Sequence, residues 1–121
     1  MQSLKKYLSA SVERFAESFI SKNNFGQIKV TYPSGVIKTY TADNDGYCAD
    51  LRLNNYNLIY KLFKKGSVGF AESYMDGDFI SEDLSTLLLF AHQNELVYLK
   101  QRQAKWFYNI LIKFKHQLNE N

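Results

Sequence analysis

Between residues 19 and 28 the apolar residues of this chain change period, and that switch excludes an all-helical or all-strand fold. Up to that point Leu4, Leu8, Val12, Phe15 and Phe19 recur at spacings of three and four. Such spacing puts them on one face of a helix. Lys5, Lys6, Glu13, Arg14 and Glu17 fill the other faces, so the pattern predicts an amphipathic helix over 3–22, ended by Asn23 and Asn24. After it, Ile28, Val30 and Tyr32 alternate with polar residues, and a second run follows from Val36 with Ile37, Thr39 and Thr41 on one side. Pro33-Ser34-Gly35 between the runs is turn chemistry, because proline presets φ and glycine tolerates φ > 0. The two runs read as a β-hairpin.

Ala42 to Gly46 ("ADNDG") reads as the next loop, and the alternating "YCADLRL" from Tyr47 to Leu53 as a third strand. Asn54 or Asn55 then caps a helix with the apolar stripe Leu58, Ile59, Leu62 and Phe63, which stops at Lys64-Lys65-Gly66. Val68, Ala71 and Met75 share one side of a short helix that ends at Asp76-Gly77. Ser81 is expected to cap a further helix carrying Glu82, Asp83, Leu84, Leu87, Leu88 and Ala91, which weakens near Asn94. A last helix is expected over 96–118. The order of helix, three strands and several helices predicts an α+β fold with a small antiparallel sheet and a long C-terminal amphipathic helix. The division expected is a domain over 1–95 and the C-terminal helix over 96–121.

At 121 residues, 45% hydrophobic and 22% charged, the chain is long enough for one modest core. Aromatic residues reach 16%, which points to a wide core or a surface for an apolar ligand. The net charge of +3 gives no argument for nucleic acid, but its distribution is uneven. Residues 66–99 hold six acids and no Lys or Arg, whereas residues 100–121 hold five Lys/Arg and one acid. The single Cys48 rules out a disulfide within the chain and fits a reducing cytoplasm; its alternating surroundings predict burial. His92 is expected to be packed or capping and His116 solvated, and the two do not make a metal site. No apolar signal core or membrane-spanning run occurs in these residues.

The stretch "GSVGFAESYMDGDF", from Gly66 to Phe79, mixes glycines, carboxylates and aromatics as active-site loops do. Glu72 and Asp76, four apart on a helix, would share a face and could serve as general acid and base. No Lys, Arg or strand–loop–helix phosphate unit accompanies them in this stretch, and the spacing of Glu72, Asp76 and Asp78 is not that of an EF-hand. A structural or docking role is therefore preferred, with catalytic, cofactor-binding and metal residues all expected to be absent. In the tail, Trp106 or Phe107, Ile110, Leu111, Phe114 and Leu118 form an apolar stripe flanked by Lys100, Arg102, Lys105, Lys113 and Lys115. A basic, aromatic amphipathic helix can lie in an anionic membrane interface, or its stripe can pack on its own domain or a neighbouring one. Lys105, Trp106, Phe107, Ile110, Lys113, Phe114 and Lys115 are the membrane-facing candidates.

"GQIKVTYPSGVIKTY" followed by "DLRLNNYNLIYKLFKKGSVGFAESYMDGDFISEDLSTLLLFAHQNE" resembles the N-terminal domain of cyclopropane-fatty-acyl-phospholipid synthases. The resemblance runs from Gly26 through Asn94. Its most specific part is Gly66, Gly69, Glu72, Tyr74, Met75, Asp76, Gly77 and Asp78, followed by Asp83-Leu84, and the closing "KFKHQLNEN" resembles the family's linker to its catalytic domain. The family uses S-adenosylmethionine to add a methylene bridge to unsaturated acyl chains of membrane phospholipids. No Gly-rich nucleotide-binding βα unit occurs in the 121 residues, so cofactor and catalysis are expected only in a methyltransferase domain outside them, in cis or in trans, as in a truncated or split enzyme. The resemblance implies a non-catalytic, lipid- or membrane-engaging domain that presents acyl chains to that domain. It implies a bacterial, cytoplasmic location peripheral to the inner membrane, with phospholipid as partner, no nucleic acid, and a homodimer as one possible assembly. An autonomous lipid carrier, a module regulating a separate methyltransferase and, least favoured, an enzyme using Glu72 and Asp76 are the alternatives.

Overall fold

The computed structural model describes residues 2–103. The element order is α1 (Gln2–Ile20), β1 (Phe25–Thr31), β2 (Ile37–Thr41), β3 (Asn44–Leu53), α2 (Asn57–Lys65), α3 (Ser67–Met75), β4 (Phe79–Ile80), α4 (Leu84–Gln93) and α5 (Glu95–Gln103). The fold is α+β: an open four-stranded mixed sheet, in the order β2-β1-β3-β4, packed with five helices. Of the expected last helix, α5 covers the described part; residues 104–121, and with them Lys105, Trp106, Phe107, Ile110, Lys113, Phe114 and Lys115, lie outside the described residues.

The hairpin forms at Pro33-Ser34-Gly35, where Tyr32 N–H donates to Val36 O (2.8 Å) and Gly35 N–H to Tyr32 O (2.8 Å). The expected antiparallel sheet is corrected to a mixed one, because β3 pairs parallel to β1 on the side away from β2. The expected loop 42–46 is likewise corrected: β3 begins at Asn44, beside Phe25. Ala42 and Asp43 cross the start of β1 instead of turning back along β2. Ala42 N–H donates to Gly26 O (2.9 Å) at this crossing. Gly26 has φ +69°, and a Cβ there would lie 2.1 Å from Tyr47 O, so only glycine lets the chains pass this closely. The two-residue β4, which sequence reading did not foresee, pairs antiparallel with the end of β3.

One face of the sheet carries the buried Ile28, Val30, Tyr32, Ala49, Leu51 and Leu53. These join Ala16, Phe19 and Ile20 of α1, Leu58, Ile59 and Phe63 of α2, and Leu87 and Phe90 of α4 in a single core. Cys48 is exposed, a correction to its expected burial. The cause is parity: Ala49, Leu51 and Leu53 point inward, so Cys48 falls on the opposite face with Arg52.

Polar side chains lock the layers together. Tyr40 donates to Glu17 Oε2 (2.9 Å) and shares a 2.7 Å hydrogen bond with Tyr32, joining β2 to α1. Lys38 holds the Glu17 carboxyl below its ordinary range, and burial pushes the Tyr40 phenol up to about 12. Asn94, 2% exposed, accepts from the N–H groups of Asn24 (2.8 Å) and Phe25 (2.9 Å) and donates to Phe90 O (3.0 Å). It ends α4 and ties that end to the start of β1.

Candidate functional site

The stretch from Gly66 to Asp78 folds as a helical corner against α2. Gly66, at φ 61°, ends α2, and its N–H donates to Leu62 O (2.8 Å). Gly69 then lies against the α2 backbone, where a Cβ would come 1.9 Å from Lys61 O. At the far end of α3, Gly77 N–H donates to Tyr74 O (3.1 Å) and Asp78 N–H to Ser73 O (3.0 Å). This is the Schellman arrangement of a helix C-terminus, with glycine at the left-handed position, φ +74°.

The turn points the Asp78 carboxylate inward, leaving its side chain 5% exposed. Oδ2 accepts from Ser73 Oγ (2.6 Å) and Lys61 Nζ (2.7 Å), and Oδ1 from the side-chain amides of Asn55 (3.2 Å) and Asn57 (3.4 Å). Burial pushes the Asp78 carboxyl up, but these four donors outweigh it and hold the group below its ordinary value. For Lys61, burial pulls the ammonium down, and its bonds to Asp76 and Asp78 raise it overall. Lys61 also meets Asp76 Oδ2 at 2.7 Å, and Lys65 meets both oxygens of Glu72 at 3.0 Å. The cations absent from residues 66–99 are thus supplied by α2, and Glu72 and Asp76 face these lysines. The Tyr74 ring lies tilted against Phe79, with centroids 5.9 Å apart, while Met75 is 75% exposed.

Two other expected roles are corrected. The cap of α4 is Asp83, whose carboxylate accepts from Thr86 N–H (3.1 Å); Ser81 instead donates to Asp50 O (2.9 Å) and holds β4 to β3. His92 is neither packed nor capping: its side chain is 84% exposed, 3.5 Å from Glu95. The α2 start also differs in detail, with Tyr56 at the cap position and Asn55 Oδ1 accepting from Asn57 N–H (2.8 Å).

A Cβ at Gly77 would meet nothing within 4 Å, so substitution in this left-handed turn costs backbone strain alone. Gly77→Val is expected to lose about 1–3 kcal/mol of stability while keeping the same far-ultraviolet circular dichroism. A thermal melt at the wild-type temperature would contradict the turn.

A cavity of about 550 Å³ lies beside this corner. Ile28 and Leu51 of the sheet, Leu58, Ile59 and Phe63 of α2, and Leu87 and Phe90 of α4 line its depth. Phe70 and Ala71 of α3 form one wall, and Tyr98 and Leu99 of α5 another. Tyr98 is fixed by donating to Ile20 O (2.9 Å) and by ring contact with Phe19 at 5.2 Å; burial raises its phenol. Ser67, His92 and Glu95 bring side-chain polarity to the lining, and among the described residues no Lys or Arg belongs to it. The volume lies within the range of sites that enclose a small molecule. No local sequence signal marks this cavity, since its walls come from seven elements; the aromatic content is the one trace of it in the composition.

Among the described residues no cluster of three or more His, Cys, Asp or Glu is placed to hold a metal ion, and no helix is long and apolar enough to cross a membrane. No protein-family model, curated protein or solved structure matches the chain.

Proposed function

We propose that this chain is a non-catalytic, lipid-engaging domain of the cyclopropane-fatty-acyl-phospholipid-synthase kind, which accepts an acyl chain and presents it to a methyltransferase domain in cis or in trans. The observation that carries this reading is the cavity: an apolar recess of about 550 Å³ floored by buried side chains of the sheet, α2 and α4. Each buried methylene contributes about 0.8 kcal/mol, so a long chain would be held without any specific polar contact. The corner built by Gly66, Gly69 and Asp78 serves this reading as scaffold, because it sets the angle between α2 and α3, which wall the recess. S-adenosylmethionine belongs, on the same reading, to the methyltransferase domain. The basic residues Lys105, Lys113 and Lys115 would bring the domain to the cytoplasmic face of an anionic membrane.

A second reading, an interaction module that regulates a separate methyltransferase, is favoured by exposed apolar residues near the recess: Val68 at 60%, Leu89 at 45% and Leu96 at 75%. One experiment separates the two. The protein is incubated with phosphatidylglycerol vesicles containing a trace of pyrene-labelled phospholipid, then separated from them and extracted. The lipid-engaging reading predicts labelled lipid carried by the protein, with vesicle association falling as salt rises and when Lys105, Lys113 and Lys115 become Glu. Protein that leaves the vesicles without label, while binding a methyltransferase domain, would favour the module instead.

A further inference from the structure

Resting on the acyl-binding reading, we infer that the cavity selects its ligand by the length of a single hydrocarbon chain and is indifferent to the charge of the head group. The distribution of polarity carries this. Ile28, Leu51, Ile59 and Phe90 line the depth at 6% exposure or less, so the inner end offers only hydrocarbon. The polar lining residues of α4 and α5 sit at the opening: the His92 side chain is 84% exposed and that of Glu95 is 67% exposed. An amphiphile therefore enters tail first, and its head stops where water reaches it.

Among the described residues the lining offers no clamp for an anion: it contains no Lys or Arg, and the Tyr98 hydroxyl hydrogen is committed to Ile20 O. A carboxylate or phosphate recognised by a protein ordinarily meets cationic or desolvated donors. Here a head group at the opening stays hydrated, and its attraction to exposed charges is screened to a few-fold effect at most. The exposed start of α3 at Ser67 favours an anion, and it defines the outcome that would overturn the inference.

The test is calorimetric titration of the intact protein, below micellar concentrations, with three series from decyl to octadecyl: fatty acids, primary alcohols and lysophosphatidylcholines. The expected result is a Kd that falls by about fourfold per added methylene in each series, then levels off at the same chain length in all three. At matched length the three head groups should agree within about threefold, and Glu95→Lys should change the fatty-acid Kd by no more than about threefold. A fatty acid bound more than about tenfold tighter than its alcohol, or a Kd independent of chain length, overturns the inference while leaving lipid engagement intact. Failure of all three series to bind overturns both this inference and the functional reading beneath it.

Discussion

Asp78→Ala should lower the unfolding free energy by about 1–3 kcal/mol, the cost of leaving buried polar groups without their partner. The substitution strands Ser73 Oγ, which is fully buried, together with the side-chain amides of Asn55 and Asn57. Lys61 keeps Asp76, whose side chain is 62% exposed, and so loses its better-shielded partner. Asp78→Asn retains the shape without the charge and should fall between the variant and wild type. The pH dependence follows from the same contacts. The folded-state pKa of Asp78 lies below its ordinary value of 3.8, so the unfolded chain binds its proton first as the solution is acidified. Its contribution is fully present above that ordinary value and is lost as pH falls through the lower, folded value. Lys61 has the opposite sign: its raised pKa contributes fully below 10.5 and is lost at more alkaline pH. Urea melts of Asp78→Ala between neutral pH and pH 3 should therefore show a flatter acid limb than wild type. It is not abolished, because Glu17 and Asp83 also sit below their ordinary values. Parallel acid limbs in the two proteins would remove Asp78 from the centre of the corner.

Gly69→Val should cost about 3 kcal/mol or more and should also weaken acyl binding. A Cβ at residue 69 would stand 1.9 Å from Lys61 O and 2.4 Å from Lys61 C, both backbone atoms that cannot swing aside. The two helices must separate, and overpacking of this kind typically costs about 1–3 kcal/mol, occasionally more. Phe70 and Ala71 follow Gly69 directly and wall the cavity, so the displacement reaches it. Gly77→Val makes the control, with comparable bulk at a position that meets nothing. Denaturant melts and lysophosphatidylcholine titrations of both variants should show a stability loss in each and a binding loss only for Gly69→Val. Equal binding in both would mean that the α2–α3 angle does not shape the cavity.

Much of the fold was legible because its signals are local. The stripe from Val12 to Phe19, the turn at Pro33-Ser34-Gly35 and the stop at Lys65-Gly66 each depend on a few neighbouring residues. What was not legible depends on distance. The parallel pairing of β3 follows from a close crossing at Gly26 that alternation cannot report, and a two-residue strand at Phe79 has no period to detect. Parity within β3 was available, and reading Ala49, Leu51 and Leu53 as the inward set would have placed Cys48 outside. The corner was half legible: the glycines and acids of residues 66–78 stood out, but their cations are Lys61 and Lys65, on the preceding helix. The cavity left no trace beyond the aromatic content, since Leu58, Leu87 and Tyr98 meet only through the tertiary fold.

Occupation of the recess between the sheet, α2 and α4 by a hydrocarbon chain, as proposed, is tested by photolabelling with a long-chain alcohol carrying a diazirine near its methyl end, followed by peptide mass spectrometry. Label is expected on residues 58–63 and 87–91, competed by unlabelled alcohol and lost in Ala91→Trp, whose indole would fill the recess without disturbing the deeper core. Label confined to the open face of the sheet around Cys48 and Arg52, or unchanged in Ala91→Trp, would contradict it.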